Sequence, residues 1–105
     1  MSNINFKIPK DNNLLKKDIS ERKNEYMVHL YECFKKIDIT KEIPKKINVF
    51  MFSGTNLEVI IKETSYIVNI KNLIDYFSNI EEYEICTVLN SKLNFFIKDS
   101  KNKDL

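Results

Sequence analysis

A chain of 105 residues with a single glycine has one place where the backbone can turn at no steric cost, and that place is Gly54. Its flanks alternate. Ile47, Val49 and Met51 alternate with Asn48, Phe50 and Phe52 before Ser53-Gly54, and Leu57, Val59 and Ile61 alternate with Glu58, Ile60 and Lys62 after it. Two-fold alternation on both sides of a glycine predicts a β-hairpin, with Ser53 and Gly54 as the turn that defines the fold. Blocks of β-branched and aromatic residues continue downstream. Residues 66–77 read as a strand-like segment whose second half also fits a helix, and residues 83–89 and 93–97 read as a final strand pair joined at Asn90-Ser91-Lys92.

Upstream the period is helical. Asp18 followed by Glu21 has capping-box spacing, and Tyr26, Met27, Leu30, Phe34 and Ile37 recur at three- and four-residue steps. A helix over 18–37 is predicted, with Pro44 closing a linker over 40–46 because proline neither continues a helix nor donates to a central ladder. Residues 1–17 carry only isolated apolar positions (Ile4, Phe6, Ile8) and read as a flexible tail, or as a strand once docked. Residues 99–105 are a polar tail. The expectation is one domain over 18–98, mainly β with an N-terminal α-helix, its five strands within 46–98.

Seventeen basic against 15 acidic residues leave a net charge of +2, interspersed along the chain, which is not the concentrated basic footprint of a dedicated nucleic-acid binder. No apolar run reaches the length of a membrane span, and the start lacks the apolar core of a signal peptide, so a cytoplasmic location, or a cytoplasmic and nuclear one, is expected. Cys33 and Cys86 are far apart with no second pair, and read as free thiols rather than a metal site. His29 and Cys33, four apart on one helical side, are the only arrangement suggesting a nucleophile, and no glycine-rich loop or oxyanion hole accompanies them. No P-loop or paired metal motif is present. A non-enzyme without cofactor or metal is expected. A core of roughly 80 residues is small enough that a partner covering further surface would help it.

A helix followed by five short strands, with a glycine turn after the first, resembles the Sm and Sm-like family. Ser53-Gly54, Leu57, Ile61, Ser65 and Asn69 fall at the spacing of that family's first motif, and residues 88–97 match the hydrophobic pattern of its second. Within the family the chain is most similar to the Gemin-type subunits of the survival-of-motor-neuron complex, on Gly54, Thr64, Val68 and Ser91. The resemblance implies a strongly bent five-stranded antiparallel barrel. It also implies a scaffold role in assembling spliceosomal ribonucleoproteins, partnered by another Sm-like subunit through strand edges and by further subunits of the complex and Sm proteins. The edges would be carried by Tyr83, Ile85, Cys86, Val88, Phe95 and Phe96, with Val88 and Phe96 toward the partner. The family's base pocket would lie at Ile67, Asn69 and Leu89, of which only Asn69 offers a base the right chemistry, so direct RNA binding is expected to be weak or absent. A divergent RNA-binding ring subunit and an unrelated small α+β adaptor are the alternatives.

Overall fold

The computed structural model describes the backbone of residues 6–103, with side chains as far as Asp99; Ile4, the rest of residues 1–5 and residues 104–105 lie outside it. In chain order the elements are β1 (Lys7–Ile8), α1 (Asn12–Glu21), α2 (Lys23–Lys35), β2 (Lys46–Phe52), β3 (Glu58–Lys62), α3 (Tyr66–Asn79) and α4 (Tyr83–Lys103). A 3-10 turn over Glu63–Ser65 leads into α3. The described residues therefore form an α+β fold, four helices against a three-stranded sheet of order β1-β2-β3.

This corrects the expected mainly-β, five-stranded Sm-like barrel. The three strands expected beyond the hairpin are helical. Tyr66, Ile70, Leu73 and Phe77 step by four, three and four residues, and all are buried along one face of α3. Cys86, Leu89 and Phe96 are buried along α4 with Leu93 packed beside them, at steps of three, four and three. β-Branched and aromatic content favours strands only where a pleated surface exists to receive it, and a continuous helical stripe outweighs it here.

The hairpin around Gly54 is present. Gly54 has φ +74°, and a Cβ at that position would meet no neighbour, so the backbone conformation rather than lack of room asks for glycine. β2 pairs antiparallel with β3 through Ile47↔Ile61 and Asn48↔Ile60, then slips one residue at Val49 and resumes as Phe50↔Val59. The bulge bends β2 where α2 crosses it.

The predicted helix over 18–37 is two helices. α1 begins earlier, where the Asp11 carboxylate accepts from the Asn13 and Leu14 amides at 2.8 and 3.2 Å, so Asp11 rather than Asp18 is the cap. Asp18 instead accepts from the Tyr26 hydroxyl at 2.5 Å and from Arg22 at 3.3 Å across the bend between α1 and α2. Within the expected tail, β1 lies parallel to β2, Lys7 beside Met51 and Ile8 beside Phe52. The alternate reading of Phe6 and Ile8 as a docked strand thus describes them, but the sheet they join is the chain's own.

Two apolar clusters hold these layers. One gathers Phe34, Tyr66, Ile70, Leu73, Phe77 and Leu89 among α2, α3 and α4. The other gathers Ile8, Tyr26, Val49 and Phe50 between α2 and the sheet, with Phe6 laid on Tyr26 and Phe50 at ring separations of 4.7 and 5.3 Å.

Candidate functional site

The hydrogen-bond parity of β2 decides where the sheet is open. Glu63 N donates to Lys45 O at 2.7 Å, so Lys45 faces β3; by alternation Ile47 does too, and the backbone groups of Lys46 and Asn48 face the opposite side. That opposite side receives β1 further along, where Met51 N donates to Phe6 O at 3.1 Å and Ser53 N to Ile8 O at 2.8 Å. Among the described residues, no strand lies on that side of Lys46–Asn48. Between the two stretches His29 Nε2 donates to Val49 O, so a side chain of α2 does for one carbonyl what a neighbouring strand would have done.

A cavity of about 460 Å³ opens along this edge. His29, Glu32 and Cys33 project from one face of α2, and Lys36 at its C-terminal cap continues that face, because positions separated by three, four and seven residues stack along a helix. Ile37, Asp38 and Pro44 close one end, and Lys46, Ile47 and Asn48 form the facing wall. The size falls within the range of sites that take small ligands or short segments of chain. Lys92 Nζ donates to Ile37 O, fixing the end of α2 to α4, and the Thr40 hydroxyl and amide donate to Asp38 at 2.6 and 2.9 Å. Those two bonds hold the Asp38 carboxyl below its ordinary range.

Cys33 lies 3.7 Å from His29 Nε2. Burial pushes its thiol upward by more than the nearby Lys36 ammonium pulls it down. Nε2 already gives its hydrogen to Val49 O and is not free to take a proton from Cys33, so the pair lacks the base that a thiolate mechanism needs. Among the described residues no three His, Cys, Asp or Glu side chains gather in a way that could hold a metal ion. No helix there is long and apolar enough to cross a membrane.

The residues expected at strand edges all lie on α4 and form no edge. Cys86 and Phe96 are buried, the thiol donating to Ile74 O at 3.6 Å and the Phe96 ring 5.5 Å from Tyr66. Ile85, Val88 and Phe95 pack half-buried against the same core, and Tyr83 is 62% exposed in the first turn of α4. Ser53 and Gly54 are in the hairpin turn, away from the groove. Asn69 donates to Ser65 O at 2.8 Å in the first turn of α3, and Leu89 is fully buried and offers no surface to a base beside Ile67 and Asn69. Sequence reasoning passed over Lys46, Asn48, Glu32 and Lys36. The usable signal was the brevity of the Phe6–Ile8 alternation beside a seven-residue β2, which leaves part of β2 uncovered.

No protein-family model, no curated protein and no solved structure matches the chain, so its functional reading rests on this geometry.

Proposed function

We propose that the chain is a non-catalytic binding module whose working surface is the groove between α2 and the edge of β2 that no described strand covers. The observation that carries this is the pair of backbone positions, Lys46 and Asn48, turned away from β3 into that cavity. Backbone groups left without a ladder partner are a standing template for association. A role in ribonucleoprotein assembly rests on a barrel the chain does not form, and it is not carried forward; assembly with another protein is.

Catalysis at Cys33 is disfavoured by the engaged His29 and the raised thiol. Alkylation of Cys33 by iodoacetamide at pH 8 should accordingly be slower than that of an unperturbed thiol. A fast-reacting Cys33 would restore the nucleophile reading.

The binding role is tested by placing a photo-crosslinking side chain at position 36 and, as a control, at Val68, which is 60% exposed on α3. A discrete protein adduct from position 36, absent from position 68 and lost when Cys33→Phe fills the groove, is the expected result. An adduct that persists in Cys33→Phe rejects the groove as the working surface.

A further inference from the structure

We infer that the uncovered edge of β2 takes an extended acidic segment of a partner protein as an added strand, its aliphatic residues turned in under α2 and its acidic residues turned out beside Lys46 and Lys62. This rests on the groove being the working surface and adds the chemistry of the occupant.

Strand addition follows from where the backbone groups point. Lys46 and Asn48 together offer two N–H and two C=O groups on the side away from β3, at the spacing of alternate strand residues. Among the described residues, β1 covers the same edge only at Met51 and Phe52, and His29 closes the gap at Val49, so the stretch they leave open accepts about three residues, or about 10 Å of extended chain. An incoming strand would lie in line with β1 and lengthen the sheet without displacing anything described.

Charge decides the composition. Lys46 and Lys62 are directly opposite one another in a pair without mutual backbone bonds, the closer of the two antiparallel spacings, and like charges placed so repel. Lys45 adjoins them, and the three lysines border a corner cavity of about 640 Å³ with Glu63 and Thr64. Lys46 borders both this corner and the groove. An acidic side chain on the added strand, beside Lys46 on the outer face, relieves the repulsion. The inner wall has the opposite preference. Glu32 and Asp38 face the groove together with Lys36, so their charges offset one another and an inward acid would be desolvated without net attraction, while an aliphatic side chain finds Cys33, Ile37, Pro44 and Ile47. Alternation of aliphatic and acidic residues is the pattern that satisfies both walls.

The test uses the full chain and two labelled, end-capped pentapeptides, Val-Asp-Val-Asp-Val and Val-Lys-Val-Lys-Val, followed by fluorescence anisotropy. The acidic peptide should bind at least about tenfold more tightly, the difference weakening with salt. N-methylation of the amides on one alternate set of its residues should abolish binding, and on the other set should leave it, because only one set faces β2. Lys46→Glu converts the repelling pair with Lys62 into an attracting one, so the fold is kept and the preference between the two peptides should reverse. Equal binding of the two peptides, equal effects of the two methylation patterns, or no binding would overturn the proposal. Binding seen only after residues 1–5 are removed would assign the edge to this chain's own N-terminus and would also overturn it. Failure of the peptides with a position-36 adduct still lost in Cys33→Phe sinks strand addition alone; an adduct that survives Cys33→Phe sinks the groove reading beneath it.

Discussion

Among the described residues the chain reverses direction twice with a residue in the left-handed backbone region, at Gly54 with φ +74° in the sheet half and at Glu81 with φ 63° between α3 and α4 in the helical half. The first reversal is written in the sequence by the chain's only glycine; the second is made by a residue that adopts this conformation at a cost. The halves differ in packing as well. The helical half buries Phe34, Ile70 and Leu89 completely among three helices, whereas the sheet half is closed at its edge by a two-residue strand and the half-buried ring of Phe6. Strain at a turn is tolerated where burial is deep. The half with thinner cover has its turn on glycine and presents an edge that no described strand covers.

Truncation in the two halves should separate them most clearly. Leu89→Ala removes a fully buried side chain from the middle of α4 and should cost about 2–5 kcal/mol in urea unfolding. Phe6→Ala removes a ring that touches Tyr26, His29 and Phe50 at centroid distances of 4.7, 5.0 and 5.3 Å but remains partly in water. Its cost should be about 2 kcal/mol, near the value of one apolar side chain's burial. Equal losses, or a larger loss at Phe6, would break the contrast between a deep half and a thinly covered one.

How much of this was legible is clear from the same residues. The hairpin was readable because alternation and Gly54 agree, and the α2 stripe because Tyr26, Leu30, Phe34 and Ile37 keep helical steps. The steps of α3 and α4 were equally present, but each stripe is interrupted by β-branched and aromatic neighbours (Ile67, Val68, Ile85, Val88, Phe95) that suggest strands when read in short blocks. The absence of any glycine or proline after Gly54 spoke against three more strand connections and for long helices. The turn that joins α3 to α4 had no such marker, because Glu81 stands where a glycine is usual. The groove left only the trace already named, a short Phe6–Ile8 alternation beside a seven-residue β2, because which strand lies along which part of β2 is a tertiary relation that local spacing does not encode.

Glu81 sharpens the comparison with a gain instead of a loss. Its neighbourhood is already bonded as a helix terminus, Glu82 N donating to Phe77 O at 2.9 Å and Glu81 N to Ser78 O at 3.1 Å. Glu81→Gly keeps those bonds and removes the side-chain penalty of the left-handed backbone, so thermal unfolding should shift upward, by about 1 kcal/mol of added stability. The reciprocal change, Gly54→Ala, should lose a similar amount. A neutral result at position 81 would mean that the turn relaxes when unconstrained, and that the helical half stores no strain there.

The smallest expected effect lies where the halves meet. Tyr66, on α3, donates its hydroxyl to Pro44 O at 2.7 Å, on the linker that leads into β2. Burial, with a smaller contribution from Glu63, pushes its pKa up to about 12 from the ordinary 10.0. A folded-state pKa above the unfolded one means that the folded state holds the proton more tightly. The contribution to stability is therefore complete below pH 10 and is lost as pH rises from there toward about 12. Tyr66→Phe should cost only about 0.5 kcal/mol at neutral pH, because the carbonyl it leaves belongs to exposed Pro44 and can turn to water. The same substitution should flatten the loss of stability above pH 10. It should not abolish that loss, since burial and the Asp18 carboxylate also raise Tyr26 in the sheet half. A slope unchanged in Tyr66→Phe but removed in Tyr26→Phe would place the alkaline weakness in the sheet half, under Phe6, and not at the junction.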